Sequence, residues 1–568
     1  MLPDVAAIDR EFDYLVPDAI GAVEVGDVVR IALHGRRVGG WVLDADADPP
    51  PGVALRPLAK RSGLGPPPDV IDLASWAAWR WAGRRATFLR TASPPTVVPA
   101  RPRRAEAGPP VAPVADELVA TALDAGQAVL RLPPAADVFP VVLAAAARGQ
   151  ALVVAPSVAV ARHLALRLRR AGIEVAIHPR DWARAAAGAT VVGARAAAWA
   201  PTPDLACVVV VDEHDEAHQE ERAPTWSARD VAVERARRAG VPCVLTSPAP
   251  SLEALRWGRL VAPSRGAERS GWPILDVIDR RHDDPVKAGL WSERLVPRLR
   301  GDGTVLCVLN RTGRARLSAC AACGELARCA RCDAAVAQRP DGGLACGRCG
   351  EERPVVCLAC GATRLKLLRV GVTRAREELE ALLGEPVVEV TGATADRELP
   401  TARVYVGTEA VLHQVPSARV VAFLDIDQEL VAPRYRAAEQ AMALLVRAAR
   451  VVGARADGGR LVVQTRLPRH EVLDAVLKAD PGRLAEADDA RRRALRFPPH
   501  AALAEVSAAA AGAFVDALGR PPGIDVLGPD ETGRWLLRAP DHRVLCDALA
   551  ATSRPPGRLR VAVDPPRV

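Results

Sequence analysis

The sequence predicts a multidomain α/β protein with two successive parallel-sheet lobes, the second interrupted by a cysteine-rich zinc insert. Three observations carry this expectation. Helical and strand patterns alternate from about residue 112 to 262 and again from about 304 to 470. Eight of the 12 cysteines crowd into residues 320–360. At about 150 residues per domain, 568 residues hold roughly four domains.

The elements follow in order. A Trp- and Arg-bearing helix, Ile71 to Arg85, precedes a proline-rich linker, Pro94 to Pro113. In the first lobe Asp116 to Ala125 reads as a helix, Ala151 to Ala155 as a buried strand, and Val158 to Ala171 as an amphipathic, arginine-rich helix. Val191–Val192 and Val208–Val211 are further short strands, an order that implies a parallel sheet covered on both faces. In the second lobe Thr304 to Asn310, Val387 to Val390, Val404 to Val406 and Val420 to Asp425 read as strands, with helices Arg374 to Leu383 and Arg436 to Val452.

Composition excludes several classes. Forty-nine prolines and 43 glycines occur without a period, which rules out collagen, solenoid and coiled-coil plans. The longest low-polarity stretches, such as Ala501 to Val515, are too short or too interrupted to span a bilayer, and the first residues lack a basic-then-apolar signal. The expectation is a cytoplasmic protein without a membrane partner. Net charge is +8, and all but four of the basic residues are arginine, the pattern of a GC-rich genome. Residues 311–376 carry 13 lysines or arginines against five carboxylates, which reads either as a phosphate-binding surface or as a solvated basic face.

The eight clustered cysteines form four CxxC pairs: Cys320 and Cys323, Cys329 and Cys332, Cys346 and Cys349, Cys357 and Cys360. A CxxC on a tight turn, followed here by Gly324, Gly350 and Gly361, aims two thiolates at one centre, and two such pairs cage one zinc ion. Eight ligands imply two Zn2+. Disulfides are disfavoured in a reducing compartment, and iron–sulfur clusters use other spacings. Closed four-thiolate sites leave no open position, so this metal serves folding. Arg328, Arg331, Arg348 and Arg353 stand on the knuckles, where they suit phosphate or a protein partner. Cys207, Cys243, Cys307 and Cys546 lie singly in apolar runs as core residues.

The strand Val208–Val211 ends in Asp212, Glu213, His214 and Asp215, at the edge where open parallel sheets bind ligands and a carboxylate commonly orients magnesium on a nucleotide. An ordinary acidic loop reads the same way, because Glu216, Glu220 and Glu221 continue the run. His214 and His218 read as exposed histidines on that loop. Two lobes with a cleft between them are the plan of nucleic-acid motor ATPases, which need a Gly-rich phosphate loop with a lysine. Residues 129–142 have Pro133, Pro134 and Pro140 and neither glycine nor lysine, so this loop lacks amides for an anion nest. Trp182, Trp199, Trp226, Trp257 and Trp535 read as packing residues.

Over nearly the whole chain these residues resemble the PriA-type primosomal replication-restart proteins. Phe12 to Asp18 with Val25 to Ile31 resembles the family's small β domain that captures a DNA 3′ end. The acidic cluster, Ser227 to Ala236 and Thr246 to Leu255 resemble its helicase motifs two and three. Leu290 to Ala315 leads into the zinc pairs; Gly407 to His413, Phe423 to Leu430, Tyr435 to Gln440 and Val462 to Thr465 continue the similarity; Arg491 to Leu503 and the end piece look like its C-terminal domain.

The resemblance implies two RecA-like, helicase-type lobes and nested zinc ligation, with Cys320, Cys323, Cys357 and Cys360 on one ion and Cys329, Cys332, Cys346 and Cys349 on the other. It makes Phe12, Asp13 and Tyr14 the DNA-end candidates, with Asp13 facing the 3′ hydroxyl. The implied domains are 1–61 (DNA 3′-end binding), 62–111 (helix and linker, with no full winged helix), 112–266 (first lobe), 285–318 with 367–470 (second lobe), 319–366 (zinc insert) and 485–568 (C-terminal, α+β).

Departures fall on ATP chemistry. The phosphate loop reads LRLPPAADVF, the arginine motif at residues 447–454 has Val451 and Ala454 in place of two arginines, and motif five is shortened after Leu412. Asp212, Glu213 and Asp215 are then vestigial, and ATP and Mg2+ are doubtful cofactors. The expected function is a replication-restart factor that recognises branched and single-stranded DNA and recruits replisome-loading and single-strand-binding proteins without unwinding. The alternatives are an active 3′ to 5′ helicase in which Arg450 or Arg455 replaces a lost arginine, and a zinc scaffold with protein partners only, which the small supply of aromatic stacking platforms leaves open.

Overall fold

The computed structural model describes residues 1–568 except 6–7, 50–51, 53, 101, 104–113, 282, 284–288, 310–316, 340–341, 368–371, 395–397 and 567–568. The end of the proline-rich linker and residues 310–315 of the motif that leads into the zinc pairs lie outside the described residues.

Six short strands build the N-terminal domain: β1 (Leu2–Pro3), β2 (Tyr14–Leu15), β3 (Val28–Leu33), β4 (Arg36–Trp41), β5 (Arg56–Pro57) and β6 (Lys60–Gly63). Strands β1, β4, β3 and β6 form an antiparallel sheet in the order β1-β4-β3-β6, and β2 pairs with β5. Val29, Ile31, Val42 and Leu58 form its small core on one face, while Leu2 and Trp41 at one end of the other face pack into the core shared with the first lobe.

The expected helix Ile71 to Arg85 is instead two helices, Pro68–Arg80 and Arg85–Ala92. The break has a steric cause. Ala82 takes a left-handed φ of 46°, and Gly83 lies so close to Phe88 that a Cβ there would meet its ring at 2.8 Å. Phe88 packs at 5.3 Å on Trp199, which meets Trp226 edge-on at 5.6 Å, and these contacts seat the helix pair on the first lobe.

The first lobe contains β7 (Gln127–Arg131), β8 (Gln150–Val154), β9 (Val175–His178), β10 (Thr190–Gly193), β11 (Leu205–Val210), β12 (Cys243–Ser247) and β13 (Arg259–Val261), all parallel, in the order β13-β7-β12-β11-β8-β10-β9. Its strands are apolar on both sides: Val208 and Val210 face one core, Cys207, Val209 and Val211 the other. Side-chain caps start its helices, Asp116 on Leu118 and Val119 amides and Ser251 on the Ala254 amide.

The second lobe contains β14 (Ile274–Asp279) and β15 (Val305–Val308). The cysteine insert follows with β16 (Ser318–Cys320), β17 (Val336–Gln338), β18 (Leu344–Cys346), β19 (Glu352–Arg353) and β20 (Leu365–Leu367). The chain then returns with β21 (Val387–Val390), β22 (Val404–Gly407), β23 (Val420–Phe423) and β24 (Arg460–Thr465). The lobe's parallel sheet runs β14-β24-β23-β15-β22-β21. Its first strand begins at Ile274, before the expected boundary at 285. The reason is that β14 is an edge strand with only Ile278 buried, so no hydrophobic run marks it.

The last strands, β25 (Ala502–Ser507), β26 (Asp525–Leu527), β27 (Trp535–Ala539) and β28 (Arg560–Val563), form an antiparallel sheet in the order β26-β27-β25-β28. This unit docks on the first lobe: Thr225 Oγ1 donates to the Val563 carbonyl at 2.7 Å, and Arg80 pairs with Asp564 at 2.6 Å. Among the described residues no helix is long and apolar enough to cross a membrane.

Candidate functional site

The four CxxC turns share one backbone form. In each, the amide of the residue after the second cysteine donates to the carbonyl of the first: Gly324 to Cys320 at 2.9 Å, Asp333 to Cys329 at 3.1 Å, Gly350 to Cys346 at 3.0 Å and Gly361 to Cys357 at 2.9 Å. That residue takes a left-handed φ of 63–76° at all four turns. Glycine does so freely, and Asp333 is the exception, a residue type that tolerates the region and is held here by Arg328 at 2.6 Å. The sulfurs then converge in nested pairs. Cys320, Cys323, Cys357 and Cys360 form one cluster and Cys329, Cys332, Cys346 and Cys349 the other, with all sulfurs of a cluster within 4.8 Å. Neighbouring Sγ atoms stand 3.5–3.6 Å apart, close to the edge of about 3.8 Å that a tetrahedron with Zn–S bonds of about 2.3 Å requires. Each cluster can hold one metal ion, and four thiolates suit zinc. The second is the better covered, because Cys323 and Cys360 of the first are exposed.

Two of the knuckle arginines, Arg348 and Arg328, turn toward the protein. Arg348 is half-buried and donates to the carbonyls of Cys332 at 3.1 Å and Ala432 at 2.7 Å, which with the Ala335 amide on the Val431 carbonyl pins the insert to the second lobe. Its two terminal nitrogens are therefore engaged by protein carbonyls, which sets it apart from a side chain extended toward DNA. Arg328 is half-buried between Glu325 and Asp333, so neither carries an open charge toward phosphate. Arg331 is exposed.

At the N-terminal domain, Phe12 and Tyr14 are half-buried and Asp13, between them, is exposed. The Phe12 amide bonds the Met1 carbonyl at 3.0 Å, and Tyr14 donates its hydroxyl to the Ala32 carbonyl at 3.0 Å. Tyr14 lies opposite Arg56 in the register of β2 with β5. The structure thus gathers Phe12, Asp13, Tyr14 and Arg56 at one end of the small sheet. Arg56 carries no sequence signal, because the pairing of two-residue strands is not visible along the chain.

The cleft between the lobes is occupied by side chains. Asp212, at the carboxyl end of β11 with φ 54°, receives both terminal nitrogens of Arg450, at 2.6 and 2.5 Å. Burial raises the cost of its charge, but Arg450 more than offsets that and holds its carboxyl below the usual range. Arg447, one turn earlier on the helix Ala437–Val452, reaches Asp215 at 2.9 Å and also Glu409. Glu213 is fully buried and accepts from the Ser251 amide at 2.7 Å, the Ser251 hydroxyl at 2.8 Å and Arg229 at 3.2 Å. The histidines are not exposed. His218 is buried with Nε2 2.8 Å from the Val211 carbonyl, His214 Nδ1 lies 2.8 Å from Ser247 Oγ, and burial lowers both, His214 to about 4. The acidic loop folds back on its own strand, which turns both rings inward.

The loop after β7 spends four of its amides within the protein. Leu132 donates to the Ser247 carbonyl, Ala135 to Gly271, Ala136 to Pro133 and Phe139 to Asp137 Oδ1. Arg131 is buried against Glu268 at 2.9 Å. Among the described residues Arg455 reaches only the Arg269 carbonyl, at 3.5 Å. A cavity of about 690 Å³ lies where both lobes, the helix Pro68–Arg80 and the C-terminal unit meet. Its charged wall is invisible to sequence reasoning: Arg436 on Glu253 at 2.5 Å, with Glu439 and Asp488, which the buried Arg492 holds from behind at 2.7 and 2.6 Å. Of the three consecutive arginines, Arg491 to Arg493, folding buries the middle one.

Residues 2–94 match the PriA 3′DNA-binding domain (3′BD) family. The chain is similar to the probable replication restart protein PriA of Mycobacterium tuberculosis, 29% identical over 630 residues, covering 99% of this chain and 91% of that protein. It is 27% identical over 347 residues to the replication restart protein PriA of Bacillus subtilis, covering 56% of this chain and 43% of that protein, so that match spans under half of the Bacillus chain. Among solved structures, a DEAD box protein from the hyperthermophile Methanococcus jannaschii overlaps 68% of this chain and 91% of that one, at 9% identity and TM-score 0.32. By sequence the chain thus resembles replication restart proteins named PriA along nearly its whole length, and a 3′DNA-binding domain over residues 2–94.

Proposed function

We propose that the chain is a replication-restart, primosome-initiating factor that recognises branched DNA at stalled forks and recruits replisome-loading proteins, without helicase activity. What supports it is that the DNA-end candidates Phe12, Asp13 and Tyr14 fall within the segment that matches the 3′BD family, in a chain whose Asp212 is taken by Arg450. A divalent cation at Asp212 has to displace a bidentate guanidinium, and a triphosphate at residues 132–138 finds two prolines without an amide hydrogen and three amides, those of Leu132, Ala135 and Ala136, already spent. The two lobes then serve as a frame that spaces the DNA-end domain, the zinc insert and the C-terminal unit. Zinc at the two cysteine clusters holds the insert folded and takes no part in chemistry. The setting is the cytoplasm at the nucleoid, and single-strand-binding and loader proteins are the protein partners.

The test compares binding of a fork that carries a 3′ leading-strand end at the junction with binding of blunt duplex of equal length. This reading expects tighter, salt-sensitive binding of the fork, and loss of that preference in Asp13→Asn. Equal affinity for both DNAs contradicts it. The second reading, an ATP-driven 3′ to 5′ helicase with a nonstandard nucleotide site, draws on the carboxylates of Asp212 and Asp215 still standing at the carboxyl edge of β11.

A further inference from the structure

The outer face of the N-terminal sheet carries cations that the fold leaves unneutralised. Arg30 on β3 lies directly opposite Lys60 on β6 and opposite Gly39 on β4, and Arg37, two residues from Gly39, lies opposite Ala32. Partners across an antiparallel pair share a face, so Arg30, Arg37 and Lys60 project together. All three are exposed, as is Arg36 at the turn between β3 and β4. Among the described residues none of the four makes an ion pair or a side-chain hydrogen bond. Their neighbour shows the contrast: Arg61, one residue on and on the other face, sits on Asp27 at 2.6 and 2.8 Å. At the sheet margin Asp4 is already held by Arg90, at 3.1 Å.

Like charges directly opposed across strands destabilise a sheet, so the Arg30–Lys60 pair is a local cost without a structural return. Lys60 is also one of only four lysines in a chain whose basic residues are otherwise arginine. Between the cations Ala32 keeps the face low, and Asp4, held by Arg90, borders Gly39. Adjacent strands are about 5 Å apart and alternate residues of a strand about 7 Å, so long side chains here span neighbouring phosphates of one DNA strand.

We infer that Arg30, Arg37 and Lys60 form a phosphodiester-binding face for a duplex arm of the fork, on the side of the sheet opposite to the one on which Tyr14 packs. This deepens the proposed function and rests on its DNA-binding part. Contacts of this kind set affinity and register and carry no end specificity.

The experiment uses the full-length, zinc-loaded chain with two forks, one with a free 3′ hydroxyl at the junction and one with that end phosphorylated, over a series of salt concentrations. The triple variant Arg30→Gln, Arg37→Gln, Lys60→Gln should bind both forks more weakly by the same factor. Its slope of log affinity against log salt should be shallower by about 0.9 per lost contact. Asp13→Asn should lose the preference for the free hydroxyl and keep the wild-type slope. An unchanged slope in the triple variant overturns the phosphate face while leaving the functional reading intact. A wild-type chain that binds neither fork overturns the functional reading itself, and the phosphate face with it.

Discussion

Arg450 sets its two terminal nitrogens on the two carboxylate oxygens of Asp212, at 2.6 and 2.5 Å, and so ties the helix Ala437–Val452 of the second lobe to the sheet edge of the first. With Arg447 on Asp215 and Arg436 on Glu253, it makes the lobe interface one of guanidinium–carboxylate contacts, which are strongest where, as at Asp212, they are bidentate. A motor opens and closes this cleft around a nucleotide. Here the cleft is closed by side chains.

Arg450→Ala should therefore loosen the lobes. Removing one partner leaves Asp212 buried and uncompensated, and because Arg450 is itself partly exposed the loss is about 1–3 kcal/mol in denaturant unfolding. Asp212→Asn added to it should recover part of that loss. Asp212 has a depressed carboxyl, so its contribution is present above about pH 4 and fades as pH falls through its folded value; the cost of Arg450→Ala should shrink in acid.

The two zinc centres should release metal at different rates. Cys323 and Cys360 expose the first cluster, whereas the second is covered. Treatment with a chelator, followed by a colorimetric zinc assay, should give two phases of one ion each from a total of two per chain. The slow phase should coincide with loss of strands β16–β20 by hydrogen exchange. Cys346→Ser should abolish the slow phase alone.

Arg348→Ala should destabilise the docking of the insert without weakening DNA binding. Two buried carbonyls, those of Cys332 and Ala432, lose their donor, a loss of about 1–3 kcal/mol. Thermal unfolding read beside fork affinity separates this from a DNA contact, for which affinity should fall and stability should not.

Asp427 gives the opposite pH dependence from Asp212. Burial, then the neighbouring Asp425 carboxylate, push its carboxyl up to about 7, against hydrogen bonds from Thr465 and the Arg466 amide. Between about pH 4 and 7 the native state binds a proton that the unfolded state lacks, so the group's contribution falls as pH rises. In unfolding measured at pH 5 and pH 8, Asp427→Asn should lose on the order of a few kcal/mol less to the rise in pH than the parent chain does.

The signals legible along the chain are those with a short period or fixed spacing. The valine-rich strands of both lobes, the helix Ala437–Val452 and the four CxxC pairs all declare themselves within a few residues, because burial on both sheet faces or ligation of one ion leaves a local pattern. The nested pairing of the cysteines comes from the resemblance alone. Edge strand β14 escapes a reading of the sequence because five of its six side chains are half-exposed and the pattern fades. The break at Ala82 escapes it because it depends on Phe88 crowding Gly83.

At the site, Asp212 is visible in the sequence and its pairing with Arg450 is not, since 238 residues and the whole interlobe closure separate them. Arg348 reads as facing outward from its knuckle for a similar reason, as Ala432 reaches it from another domain.

The most direct measurement is ATP hydrolysis by the zinc-loaded chain at saturating forked DNA, on protein shown to bind the fork. The account predicts no rate above background, with Asp212→Asn indistinguishable from the parent. A DNA-dependent rate that Asp212→Asn abolishes would contradict it and establish a motor that displaces Arg450 to reach its own magnesium.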